Sequence, residues 1–285
     1  MTSLDNRVPP VLCYHRIGGA LELGVTRVAR NVFARQMHAL AQRGWSTLSL
    51  GEYTTRLQRG NVASRTELLL TFDDGYASLA DDAYPLLADL GFTATTFLVT
   101  DYVGALNTWD GRYTRQRVRH LDWDAIEHWR ARGFDFGSHT ATHARLTWLS
   151  DAQASAELVR SRTALIARLG SSAGRAVAYP FGACDRGVER IAEAAGYELG
   201  FGGVRGNGGP LGLARVPVYS WDVGTPPWGL RDDSLGALAR VAAHAANRCA
   251  VGTSVMKLLT TTTGFRSPPP RPSHDILCPR KWSLP

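Results

Sequence analysis

The chain is 285 residues long, 44% hydrophobic and 20% charged. That balance is ordinary for a globular protein and excludes a disordered chain. The length allows one large domain or two small ones. A formal charge of +7 raises the question of nucleic acid. However, Lys257 and Lys281 are the only lysines among 32 basic residues, an arginine skew that reads as coding bias. The densest basic stretch, Arg112, Arg115, Arg117 and Arg119, reads as a solvated loop, and no nucleic-acid motif accompanies it. No run of about 18 apolar residues offers a membrane span. The opening MTSLDNRVPP lacks the apolar stretch of a secretory signal, which predicts a cytoplasmic chain as written. Cys13, Cys184, Cys249 and Cys278 form no CxxC pair, which excludes a zinc ribbon and gives no support for a disulfide framework.

Short apolar runs alternate with helical patterns. Val11–Tyr14 reads as a strand. Asn31 is placed to cap a helix through Gln42, with Phe33, Met37 and Leu40 on one face. Ser46–Leu48 and Glu67–Phe72 are strands, the second a continuous apolar run. Tyr76–Leu90 reads as a helix ending at Gly91, and Phe92–Val99 as the next strand. A helix over Asp122–Arg132 precedes a strand end at Phe134–Gly137. Ser150 caps a long helix to Leu169. Ala176–Tyr179 is a strand and Arg186–Ala195 a helix; Glu198–Phe201 and Ala214–Val218 follow as strands. The Gly-rich run Gly202–Gly212 reads as a loop.

About seven or eight strands alternating with helices predict an α/β fold with a parallel sheet. The length suits a distorted (β/α) barrel better than an open sheet. No GxGxxG or Walker loop follows the early strands. The organisation expected is a barrel domain over 1–250 and a tail over 251–285. In that tail Thr260–Pro285 loses periodicity and reads as disordered or aberrant.

In a parallel barrel the chemistry sits where strands end. Three such ends are polar here: Asp73, Asp74 and Gly75; Ser138, His139 and His143; and Pro180, Phe181 and Gly182. Two imidazoles and a carboxylate supply three ligands to a divalent ion and leave a position for water, as catalytic zinc needs. Such an ion lowers the pKa of bound water from 15.7 toward about 7, and the second carboxylate stands close enough to take its proton. Taken singly, Asp-Asp-Gly also reads as a turn or helix cap, and HxxxH as surface histidines. Adjacent acids speak against an aspartyl-phosphate phosphatase, and no GxSxG elbow supports a serine hydrolase.

TFDDGY (Thr71–Tyr76), GSHTATHARL (Gly137–Leu146) and AYPFG (Ala178–Gly182) together resemble the motifs of the polysaccharide deacetylases, carbohydrate esterase family 4. VLCYHRIG (Val11–Gly18) and RVPV (Arg215–Val218) resemble the poly-N-acetylglucosamine deacetylase-like branch. The resemblance covers roughly residues 8–225. It implies a distorted (β/α) barrel that uses a metal-bound water to remove acetyl groups, usually N-acetyl on an amino sugar, from a carbohydrate. It makes Asp74, His139 and His143 ligands of one divalent ion, Zn2+ first among the candidates. Asp73 becomes the general base, and His15, from a Tyr-His pair, the acid. The Tyr179–Phe181 segment becomes a loop whose backbone N–H helps hold the oxyanion. Tyr179, Pro180 and Trp221 are the residues expected to meet the substrate. The chain departs from the family at Ala178, where many members have arginine. Trp221-Asp222 reverses their Asp-Trp pair, and a clear late Leu-x-His is missing. His244, on an Ala-rich helical pattern, is the weaker candidate acid.

The partner expected is a carbohydrate: an amino-sugar oligomer or polymer, or a lipid- or nucleotide-linked precursor. Trp109, Trp123, Trp148, Trp221 and Trp228 are candidates to stack on sugar rings, although Trp123 fits a helix stripe and reads as core. Two other readings stay open, a carbohydrate-binding pseudoenzyme and a metal amidohydrolase of a small non-sugar amide.

Overall fold

A computed structural model of the chain describes residues 8–19, 26–59, 66–108, 118–204 and 206–224. The arginines at 112, 115 and 117, Trp109, Trp228, His244 and the 251–285 tail lie outside the described residues.

The strands are β1 (Val11–Tyr14), β2 (Arg16–Ile17), β3 (Arg27–Val28), β4 (Ser46–Thr47), β5 (Glu67–Phe72), β6 (Thr95–Leu98), β7 (Asp135–Ser138), β8 (Ala176–Ala178), β9 (Leu199–Phe201) and β10 (Val216–Pro217). The helices are α1 (Arg30–Gln42), α2 (Leu50–Arg59), α3 (Ser78–Asp82), α4 (Tyr84–Asp89), α5 (Trp123–Arg130), α6 (Asp151–Leu169) and α7 (Arg186–Ala194). The main sheet is parallel and runs β10-β1-β5-β6-β7-β8-β9, with β4 also beside β5. It curls into the expected distorted (β/α) barrel. The 213–217 segment spans the gap between its ends. Leu213 exchanges backbone hydrogen bonds with Gly200 and Gly202 beside β9, while Val216 and Pro217 pair with Leu12 and Cys13 of β1.

Side chains alternate between the two faces of each strand. Leu12, Tyr14, Leu70 and Phe72 pack outward with Phe33, Met37 and Leu40 of α1. Val11, Leu69, Phe97, Ala178 and Phe201 fill the barrel interior. Continuing the interior face past each strand end leads to His15 after β1, Asp73 after β5 and His139 after β7. The interior is narrow: a Cβ on Gly137 would stand 2.8 Å from the Phe97 ring, which is why β7 has glycine there.

The helices differ from the sequence reading at three places that have a local cause. Helix α1 begins at Arg30 with Ala29 as its cap residue, so Asn31 lies inside the first turn and caps nothing. The single helix expected over Tyr76–Leu90 is two short ones broken at Ala83, because Pro85 lacks an N–H and its ring displaces the preceding turn. Helix α2 was not anticipated. It starts at a reciprocal cap in which the Glu52 N–H donates to Ser49 Oγ and the Ser49 N–H to Glu52 Oε2. The expected caps Asp122 and Ser150 do accept from Ala125 N–H and Gln153 N–H. Among the described residues, no helix is long and apolar enough to cross a membrane.

Candidate active site

At the C-terminal mouth of the sheet, Asp74, His139 and His143 converge. His139 Nε2 lies 3.5 Å and His143 Nε2 3.3 Å from Asp74 Oδ1. All three residues are buried, and Asp74 Oδ1 receives no well-aligned hydrogen bond. A buried carboxylate oxygen left in that state is costly. The spacing fits a shared cation: tetrahedral ligands at 2.0–2.1 Å from zinc stand about 3.4 Å from one another. His139 Nδ1 donates to the Ala178 carbonyl at 2.7 Å. That bond fixes the tautomer and turns the Nε2 lone pair toward Asp74. Burial alone would raise the Asp74 pKa, but the His143 and His139 imidazoles beside it hold it well below the usual carboxylate range.

The backbone here is strained. Among the described residues, the non-glycine positions with positive φ are Asp74 (69°), Thr140 (65°), His143 (60°) and Phe181 (62°). All four belong to this site, and such conformations persist where neighbours enforce them. His120 Nδ1 donates to the Asp74 carbonyl at 2.7 Å. Glu157 of α6 accepts from both the N–H and the hydroxyl of Thr142, next to His143. Gly182 follows Phe181 at φ 61°, and a Cβ there would stand 2.7 Å from the Gly203 backbone.

Asp73 is 2% exposed and is gripped by an arginine that the sequence reading names in the RVPV motif without giving it a role. Arg215 Nη1 and Nη2 donate to its two oxygens at 2.7 and 2.8 Å, while Arg215 Nε donates to the Gly202 carbonyl at 3.0 Å. Burial pushes the Asp73 pKa up, but Arg215, with His139 and His15, outweighs it and brings it down to about 2. Asp73 is therefore ionised at neutral pH. Its Oδ2 lies 3.9 Å from His139 Nε2 and 4.0 Å from His15 Nε2. His15 is partly exposed at the end of β1. Burial lowers its pKa, with Asp73 and Asp74 acting against that. Cys13, one turn of the alternation below, directs its thiol to Asp73 Oδ2 at 3.6 Å.

Phe181 packs its ring edge-on against His143, centroids 4.7 Å apart. Among the described residues its N–H has no hydrogen-bond partner. Tyr179 and Pro180 are buried. The Tyr179 ring lies in the core with its hydroxyl donating to the Leu211 carbonyl at 2.9 Å, so neither side chain offers a substrate any surface. Trp221 is 49% exposed on the turn after β10 and rests against Tyr219. Gln36 of α1 secures that turn by donating to the Asp222 carbonyl. Trp123 packs against the core, as its helix stripe required.

With this geometry in hand, the comparisons with known proteins are specific. The family model described as polysaccharide deacetylase matches residues 60–200. The candidate polysaccharide deacetylase YxkH of Bacillus subtilis (strain 168) is 29% identical over 213 residues, covering 73% of this chain and 71% of its own. The Streptococcus pyogenes deacetylase PplD, solved in complex with acetate, is 25% identical with a TM-score of 0.64. That match covers 74% of this chain and 92% of PplD. IcaB from Ammonifex degensii, at 24% identity and a TM-score of 0.63, covers 84% of this chain and 96% of its own; at that identity the likeness speaks for the fold. His15 and Arg215 lie outside the matched span of the family model.

Proposed function

Because the chain belongs to the polysaccharide deacetylase family, we propose that it is a metal-dependent hydrolase that removes acetyl groups from a carbohydrate, with the N-acetyl group of an amino sugar as the target. The observation that carries this reading is the convergence of Asp74, His139 and His143 on one point, with Asp73 and His15 alongside. Asp74, His139 and His143 would hold the divalent ion, zinc first. Bound there, it supplies Lewis-acid polarisation of the amide and acidifies water.

The remaining work falls to the chain's own groups. Asp73, ionised and aimed by Arg215, takes the proton from the attacking water. The Phe181 N–H, presented by a positive-φ turn, donates to the carbonyl oxygen as negative charge grows on it. The amine leaves poorly as an anion and needs a proton. His15 Nε2 stands 4.0 Å from the oxygen of Asp73 that would hold one, so a proton can pass from water through Asp73 and His15 to the leaving nitrogen. Acetate and the amine are the products.

The test is acetate release from chitooligosaccharides. Release should stop with a chelator and return with zinc. His139→Ala and His143→Ala should each lose stoichiometric metal by elemental analysis and lose release with it. Wild-type metal content in both variants would break the ligand assignment. A chain that holds metal and binds oligosaccharide without releasing acetate would be a carbohydrate-binding protein. Release from simple amides alone would make it a non-sugar amidohydrolase.

In the same assay, His15→Ala should keep its metal and lower kcat by about 10²-fold or more. The loss should be largest for substrates with poor leaving groups and small for activated esters, which need no acid. An equal loss on both would show that His15 only shapes the pocket.

A further inference from the structure

Two residues beyond His143, the Arg145 guanidinium lies between two aromatic rings. Its Cζ is 5.0 Å from the Trp148 ring centroid and 5.8 Å from that of Phe181. Phe181 in turn touches His143, so an unbroken chain of contacts leads from the cluster of ionisable groups to this cation. Two other arginines of the barrel are matched with acids: Arg215 with Asp73, and Arg160 with Asp101 and Glu157. Arg145 has no carboxylate partner among the described residues, and its buried Nε has no hydrogen-bond partner. Its neighbour Trp148 is 42% exposed. Stacking on rings occupies the faces of a guanidinium and leaves its in-plane N–H fork to find an acceptor. That fork matches the two oxygens of a carboxylate or phosphate. An open indole beside it suits the apolar face of a sugar.

We propose that Arg145 and Trp148 form an anion-recognising subsite next to the reaction centre, and that the substrate is an amino-sugar oligomer or polymer carrying a carboxylate or phosphate close to the acetamido group. The location of the substrate rests on the deacetylase reading. The subsite itself does not need turnover.

Binding and turnover are therefore measured separately. Calorimetry on the zinc-loaded, full-length Asp73→Asn protein compares a chitooligosaccharide with two matched oligomers, one bearing a carboxylate and one a phosphate on the flanking sugar. At least one charged oligomer should bind about tenfold more tightly than the neutral one, the lower end of what a charge-assisted hydrogen bond supplies. The arm with the larger ratio identifies the anion. Adding Arg145→Gln should bring the ratio close to one, and adding Arg145→Lys should retain part of it. No preference in the parent protein, or a preference that Arg145→Gln leaves intact, would overturn the subsite. Acetate release by the wild-type chain decides the other question: a preserved anion preference without release would sink the deacetylase reading and leave the subsite standing.

Discussion

Replacing Asp73 by asparagine is expected to lower kcat by about 10²–10⁴-fold while leaving the metal content unchanged. The side chain is isosteric, so its carbonyl oxygen still accepts from one arm of the Arg215 fork, but the amide cannot take a proton. His143 and His139 Nε2 lie 3.3 and 3.5 Å from Asp74 Oδ1, closer than Asp73 Oδ2 lies to His139 at 3.9 Å, which is why the metal should remain. An interaction used only in the transition state lowers kcat and kcat/KM together and leaves substrate binding alone, and that pattern is the signature to look for. Loss of metal along with activity would make Asp73 a ligand instead. Turnover within a few-fold of wild type would show that another group takes the proton.

Much of the site could be read from the sequence because its chemistry lies at strand ends, where local pattern and barrel topology coincide. Asp73, Asp74 and His139 each follow a short buried strand at the barrel mouth, and His143 follows His139 in the same loop, so strand-end position pointed to the cluster, while the choice of Asp74 over Asp73 as candidate ligand came from the family resemblance. His15 directly follows β1, which agrees with the Tyr-His pair that the resemblance pointed to. The reading was weaker where a residue's role depends on distant partners. Arg215 stands in the RVPV motif, but nothing in that motif by itself says that the arginine turns inward. The signal present was strand alternation, which puts Leu213, Arg215 and Pro217 on one face of the segment that closes the barrel. Ala178 was a second hint, since it left the acids at the mouth without a cation from that strand. Tyr179 was misleading in the other direction. Its motif resembles a substrate loop, yet the side chain is core, and what the loop presents is the backbone of Phe181. For α2 the Ser49–Glu52 capping pattern was in the sequence, but its apolar residues are too sparse to announce a helix. Tyr76–Leu90 had the periodicity of one helix, and Pro85 should have divided it.

Arg215→Met is expected to destabilise the fold by about 3–5 kcal/mol, the usual cost of removing one partner from a buried ion pair. For a chain of this size that corresponds to a fall in Tm of roughly 6–20 °C. Both groups are buried, Arg215 at 5% and Asp73 at 2% exposure, and the pair is bidentate. Without the guanidinium, the carboxylate keeps its desolvation cost and loses the first of the charges that offset it. Turnover should fall as well, although Arg215 is a positioning residue: its fork holds the Asp73 carboxylate in the plane that faces His15 and His139. A double variant, Asp73→Asn with Arg215→Met, separates charge from packing. Because it leaves no uncompensated buried charge, it should be more stable than Arg215→Met alone, while its turnover stays no higher than that of Asp73→Asn. Measured by denaturant unfolding, the two single changes should therefore be clearly non-additive. Strict additivity, or an Arg215→Met protein as stable as wild type, would mean that the pair contributes shape rather than charge. In that case Asp73 would have to be held in its ionised, aimed state by His139 and His15 alone.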